Sequence, residues 1–130
     1  MIKKAKWAIK EAGLRIKYMT MKDCIFCKIV NGEIKSKIVA ENQEAIAIND
    51  INPVAKVHIL IVPKKHIDSV LTIDQKDSGV IIEMFNIAKK LVLKMKLEAF
   101  RLTFNGGKFQ HVSHLHMHLL AGSKIEWEKL

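Results

Sequence analysis

Three histidines occupy alternate positions in the run His114-Leu115-His116-Met117-His118-Leu119-Leu120. In a β-strand, successive side chains point to opposite faces. His114, His116 and His118 would then share one face, and Leu115, Met117 and Leu119 the other. The apolar face would anchor the strand in a core. The imidazole face suits two kinds of chemistry. A neutral imidazole attacks an electrophilic centre near neutral pH, and adjacent imidazoles chelate metal ions. A merely solvated histidine tract would lack the strict apolar interleaving, so both chemical readings stand at this point. A second cluster, Cys24-x-x-Cys27, has the spacing of half a zinc site, and zinc takes four ligands, usually thiolate and imidazole. The alternative is a pair of packed free thiols. A thioredoxin-like redox role lacks the βαβ surroundings it needs.

These residues need elements to position them. A short helix is expected over 24–30, capped by Asp23 and closed by Asn31-Gly32. Residues 37–40 and 45–48, rich in isoleucine, valine and alanine, flank a polar Glu41-Asn42-Gln43-Glu44 stretch and read as a hairpin. Asp50-Ile51-Asn52-Pro53 is turn chemistry. The β-branched run 57–62, ended by Pro63, reads as a buried strand carrying His58. Apolar residues at three-to-four spacing from Val80 through Met95 mark a long amphipathic helix over about 74–96. Strands are expected at 100–104 and 114–120, joined through Asn105-Gly106-Gly107. The fold class is α+β, a five-stranded antiparallel sheet with one short and one long helix.

The chain's 130 residues make one domain of ordinary size. Its 49% hydrophobic content, two prolines and six glycines exclude disordered, collagen-like and low-complexity classes. The two closely spaced cysteines are no secreted disulfide framework and point to a reducing compartment, hence the cytoplasm. Lysines interrupt every apolar run before the roughly 18 residues a membrane span needs. The net charge of +9 is uneven: residues 1–20 carry six basic side chains against Glu11, +5, leaving +4 for the rest. No specific nucleic-acid partner follows from that balance. Residues 1–20 read as a flexible basic extension, as upstream sequence before a start at Met21, or as a mitochondrial presequence; residues 21–130 form the domain.

The His-x-His-x-His-apolar-apolar run resembles the signature of the histidine-triad family of nucleotide hydrolases and transferases. The likeness extends over nearly all of 22–130. Cys24-Ile-Phe-Cys-Lys-Ile-Val-Asn-Gly-Glu-Ile34, Asp50-Ile-Asn-Pro53 and His58-Ile-Leu-Ile-Val-Pro-Lys-Lys-His66 match family blocks in order. The resemblance implies that His116 attacks the α-phosphorus of a nucleoside 5′-phosphate derivative. It gives His118 a hydrogen bond to phosphate oxygen and makes His58 an additional active-site histidine. It also implies that Asp50 accepts the ribose hydroxyls. Phe26, Ile29, Ile48, Ile51 and Leu60 would sandwich the base, although each would serve equally as ordinary core. Asn105 and Gln110 match positions that contact phosphate. In a zinc-bearing subset of the family, His66 and His114 would complete the site begun by Cys24 and Cys27.

One loop departs from the family pattern. Where a Gly-Gln-Ser or near relative usually precedes the triad, this chain has Phe109-Gln110-His111. His111 could donate to the leaving group in the serine's place. The short tail and Trp127 resemble the Hint branch, in which a C-terminal tryptophan reaches the partner's site; a surface or edge-packing tryptophan is the alternative. The resemblance implies hydrolysis of purine nucleoside phosphoramidates by a homodimer with a ten-stranded sheet. Two alternatives are cleavage of dinucleoside polyphosphates and a zinc-stabilised nucleotide-binding module with little turnover.

Overall fold

A computed structural model describes residues 23–130, so the basic segment 1–20 and its three readings lie outside the described residues. The chain order is α1 (Ile25–Val30), β1 (Ile38–Glu41), β2 (Ala45–Asn49), β3 (Val57–Pro63), α2 (Ser78–Lys94), β4 (Phe100–Phe104) and β5 (Met117–Ala121). The five strands form one antiparallel sheet in the order β1-β2-β3-β5-β4. This places β3, with His58, directly beside β5, with His118.

The two-residue period of the strands separates two cores. Ala45, Ala47, Ile59, Ile61, Met117 and Leu119 face α2, which buries Met84, Ile87, Ala88 and Leu91 against them. Burying each of the three larger helix residues contributes about 1.5–3 kcal/mol. Ile46, Ile48, Leu60 and Val62 point to the opposite face and pack with Cys24, Phe26 and Cys27 at α1. One sheet face is therefore structural, and the other carries the helix that brings the thiols to the histidines.

Three boundaries differ from the sequence expectation. Helix α1 is capped by Cys24, whose sulfur accepts from the Cys27 amide at 3.2 Å, and not by Asp23. Its end is as expected, with Asn31 as cap and Gly32 at φ +79. Helix α2 starts at Ser78, because Asp74 caps a separate 3-10 turn, Gln75–Asp77, and the Asp77 side chain accepts back from the Asp74 amide. The helix stops at Lys94 in a Schellman ending: Lys96 is left-handed at φ 55, and the Leu97 amide reaches the Val92 carbonyl.

The third difference concerns the triad. Strand β5 begins at Met117, so only His118 of the three histidines lies in the hydrogen-bonded ladder. On one side β3 ends at Pro63, which has no amide hydrogen to continue the ladder. On the other, β4 ends at Phe104 before Asn105-Gly106. The Leu115 amide donates instead to the Ile67 carbonyl at 2.6 Å. The alternation of faces nevertheless holds through the run, with Leu115, Met117 and Leu119 all in the α2 core.

Among the described residues, no helix is long and apolar enough to cross a membrane.

Candidate active site and metal centre

Beside α1, the sheet opens a cleft of about 330 Å³, within the size range of small-molecule sites. Phe26, Ile29, Ile48, Ile51 and Leu60 form its apolar wall, and Asp50, His58, His116 and His118 bring its polar groups. Most residues expected to meet a nucleotide thus share one cavity. His111 lines it as well, whereas Asn105, Gln110 and Trp127 do not. Gln110 donates its amide hydrogens to the Asp68 and Val112 carbonyls at 2.8 and 2.9 Å. Trp127 lies against the Arg101 guanidinium, 5.4 Å from its ring centroid, at the β4 edge of the same chain.

Hydrogen bonds fix where each ring proton sits. His116 Nδ1 donates to the His114 carbonyl at 2.7 Å, which leaves an unprotonated Nε2 on the neutral ring. The Val54 amide donates to His58 Nδ1 at 3.1 Å, so the proton of neutral His58 is on Nε2. That Nε2–H meets His118 Nδ1 at 2.9 Å and lies 3.3 Å from the Asp50 carboxylate. His118 must then carry its own proton on Nε2. This atom is buried and has no hydrogen-bond partner among the described residues. An unpaired buried donor costs about 1–3 kcal/mol, and an anionic ligand in the cleft would relieve it.

All three rings are held neutral. Burial lowers the pKa of His58, partly offset by Asp50. Burial likewise lowers that of His116, opposed by its bond to the His114 carbonyl. For His118, burial reinforced by the neighbouring His116 and His58 brings the value down to about 3. The site presents a free imidazole lone pair next to an N–H donor in an apolar cleft, an arrangement suited to nucleophilic attack on an anionic centre.

Next to it, Cys24, Cys27, His66 and His114 have their ligand atoms within 4.8 Å of one another. Cys24 Sγ and His114 Nδ1 are 3.3 Å apart, Cys27 Sγ and His66 Nδ1 3.2 Å, and the two Nδ1 atoms 3.1 Å. Tetrahedral zinc with its usual bond lengths sets such atoms about 3.3–3.8 Å apart, close to these separations. Proton placement gives an independent test. His114 Nε2 donates to the Pro63 carbonyl at 2.9 Å and His66 Nε2 to the Asp68 carboxylate at 2.7 Å. On neutral rings both Nδ1 atoms are then unprotonated, 3.1 Å apart and beside the Cys24 and Cys27 sulfurs, so four electron-pair donors gather round one small space. Hydrogen bonding with the Cys27 side chain, against the opposing effect of burial, holds the Cys24 thiol far below its ordinary range, and His114 and His66 add to this. Burial opposes protonation of His66, but hydrogen bonding to Cys24 and Asp68 outweighs it and raises its pKa. The donor set fits a bound metal cation.

Sequence reasoning did not find the groups that orient these side chains. The Val54 amide and the His114 and Pro63 carbonyls are backbone atoms and leave no residue-type signal. Asp68, two positions after His66, offered one, because metal-bound histidines commonly lean on carboxylates. Lys129 and Leu130 also line the cleft, brought there by the fold of the tail.

Comparisons with known proteins cover the same part of the chain. Residues 23–129 match the family described as scavenger mRNA decapping enzyme C-term binding. An uncharacterized HIT-like protein of Buchnera aphidicola is 39% identical over 105 residues, 78% of this chain and 94% of that protein. The structure of a histidine triad protein from Clostridium difficile superposes with a TM-score of 0.77 at 44% identity, covering 82% of this chain and 96% of that one. A HIT family hydrolase from Clostridium thermocellum gives 0.76 at 40% identity, covering 81% and 95%. With His116 and His118 of the triad seated in one cleft, His114 in the adjoining cysteine–histidine cluster, and matches of this extent, the chain belongs to the histidine-triad (HIT-like) family and has the fold of HIT family hydrolases.

Proposed function

We propose that this protein hydrolyses purine nucleoside 5′-phosphoramidates through a nucleotidyl-histidine intermediate. The observation that carries the reading is the pairing, in one cleft, of an unprotonated His116 Nε2 with a His118 Nε2–H that has no partner among the described residues. The base lies against Phe26, Ile29, Ile48 and Leu60, and the exposed Ile51 closes over it. Asp50 accepts from the ribose hydroxyls; its Oδ1 already accepts from the Asn52 amide at 2.8 Å, which holds the carboxylate in place. His116 Nε2 attacks the α-phosphorus, the N–P bond forms and the bond to the leaving amine breaks. The amine departs with a proton, which His111 at the rim supplies. His118 Nε2–H donates to a phosphoryl oxygen as charge builds there. Water then attacks the phosphorus of the adduct, its proton passing to the His111 that gave one up in the first step; the N–P bond breaks, its electron pair returns to His116 and the nucleoside monophosphate leaves. Asn105 and Gln110 are proposed contacts of the phosphate, and Trp127 of the leaving group in a neighbouring subunit.

The Cys24, Cys27, His66 and His114 cluster would hold a structural Zn²⁺, which would tie α1 to the residues ahead of β5. In this role His114 serves twice, through its ring at the metal and through its carbonyl at His116. Metal-bound thiolates suit a reducing compartment, and we place the protein in the cytoplasm on that ground. We also propose a homodimer formed through β4 and α2. Strand β4 is a sheet edge, and exposed Ile82, Phe85 and Phe100 lie on these two elements.

Purified protein offered adenosine 5′-phosphoramidate beside a diadenosine polyphosphate tests the reading. Preferential release of AMP from the phosphoramidate is expected. Preference for the polyphosphate would reassign the substrate, and binding without turnover of either would make the protein a nucleotide-binding module.

A further inference from the structure

The tail, residues 122–130, is fastened to the loop 50–56 at several points. Gly122 turns the chain at φ +88, and a Cβ there would lie 3.2 Å from the Lys56 Cβ, so the tail leaves β5 in close contact with the loop. Ser123 Oγ accepts from the Lys56 amide at 2.8 Å. The Glu126 amide donates to the Val54 carbonyl at 2.9 Å. Ile125 and Leu130 pack on the buried Val54, Ala55 and Leu120.

Val54 is held at its carbonyl by the tail, and its own amide donates to His58 Nδ1. A chain of contacts therefore runs from Glu126 through Val54 and His58 to His118, whose Nε2 has no partner among the described residues. Each link constrains the next. While the Val54 amide occupies Nδ1 of His58, the His58 proton must sit on Nε2, and His118 must keep its proton on the cleft side. If the loop drifts, only the Asp50 carboxylate, 3.3 Å from Nε2, still favours a proton there, and part of the His58 population places it on Nδ1. Its Nε2 would then accept from His118 Nδ1–H, and the cleft would lose its donor.

We infer that the segment 122–130 is a positioning element that holds His118 in its donor tautomer, acting through the backbone of Val54 and the ring of His58. No part of the segment needs to touch the reacting atoms for this. The role of His118 as donor to phosphate rests on the function proposed above; the tautomer lock does not.

The test is the ¹⁵N spectrum of the histidine rings in the full chain at neutral pH, recorded beside the kinetics of AMP release. In the unsubstituted protein His58 and His118 are both expected as Nε2–H tautomers. Ile125→Asp, which puts a charge into the Val54, Ala55 and Leu120 cluster, is expected to give mixed tautomers at both rings. It should lower kcat about tenfold, the order of effect of one such hydrogen bond, with KM changed less than about threefold. Ser123→Ala, a milder change that keeps the protein measurable should Ile125→Asp not fold, is expected to shift both quantities in the same direction by less. Unsubstituted tautomer populations in the loosened variants would overturn the inference; a shifted tautomer with unchanged kcat would uphold the lock and overturn the role of His118 as donor to phosphate. If the unsubstituted protein turns over no phosphoramidate, the proposed function fails, and the spectra alone decide the inference.

Discussion

His116 owes its proposed reactivity to two local facts, burial and the 2.7 Å bond to the His114 carbonyl. Replacing it with alanine removes the nucleophile and leaves the apolar wall and Asp50 in place. His116→Ala should lower AMP release at least about a thousandfold, as expected when a nucleophile is removed, while nucleotide affinity by calorimetry stays within about tenfold. Residual turnover within tenfold would contradict its role. The neighbouring His118 predicts a pH effect on stability. Its folded pKa, about 3, lies below the ordinary histidine value of 6.5, so the unfolded chain binds the proton first. Its contribution to stability is complete above 6.5 and is lost as pH falls from there toward 3. The melting temperature should decline over that window, and His118→Asn should flatten the decline; an equally steep decline would mean that other groups govern it. At this scale the sequence was informative where chemistry depends on residue type: the alternating histidines, Asp50 after a strand, and two cysteines with the spacing of a ligand pair. It was silent on the Val54 amide and the His114 and Pro63 carbonyls, because every residue has such atoms and only folding brings them within reach.

The elements were legible in kind, because strand alternation and the three-to-four spacing of α2 are set by which face is buried. Their ends were not, because local competition decides them. The Cys24 sulfur took the cap position next to Asp23, a 3-10 turn with its own cap took the start of α2, and the loss of both ladder partners delayed β5 to Met117. Helix α2 ends with Lys96 in the left-handed region, where a side chain costs about 1–2 kcal/mol. Lys96→Gly should therefore raise stability by about 1 kcal/mol, roughly 4 °C in melting temperature; no gain would mean the lysine side chain repays the strain. The Cys24, Cys27, His66 and His114 cluster brings together α1, the segment after β3 and the start of the triad, and a bound metal would cross-link them. Cys24→Ser should reduce bound zinc by elemental analysis and lower the melting temperature by at least about 5 °C. Unchanged stability with no metal in either protein would make the cysteines packing residues.

At the scale of the molecule, one sheet face is packed by α2 and the other by the site, which leaves the two edges, β1 and β4, and the proposed assembly uses the β4 edge. Phe85 of α2 lies 6.5 Å from Phe104 of β4, ring to ring, so the helix surface continues onto that edge. Sedimentation at micromolar concentration should show a dimer, and Phe85→Glu should shift it toward monomer; a monomeric unsubstituted protein would contradict the proposed assembly.

The account's central claim is a covalent bond between His116 and the nucleotide, and a trapped intermediate tests it most directly. Protein mixed with excess adenosine 5′-phosphoramidate and quenched in alkali, where a phosphorus–imidazole bond survives, should yield one adenylylated peptide containing His116. His116→Ala should yield none and release no AMP. Turnover with no adduct, or with the adduct on another residue, would contradict the account.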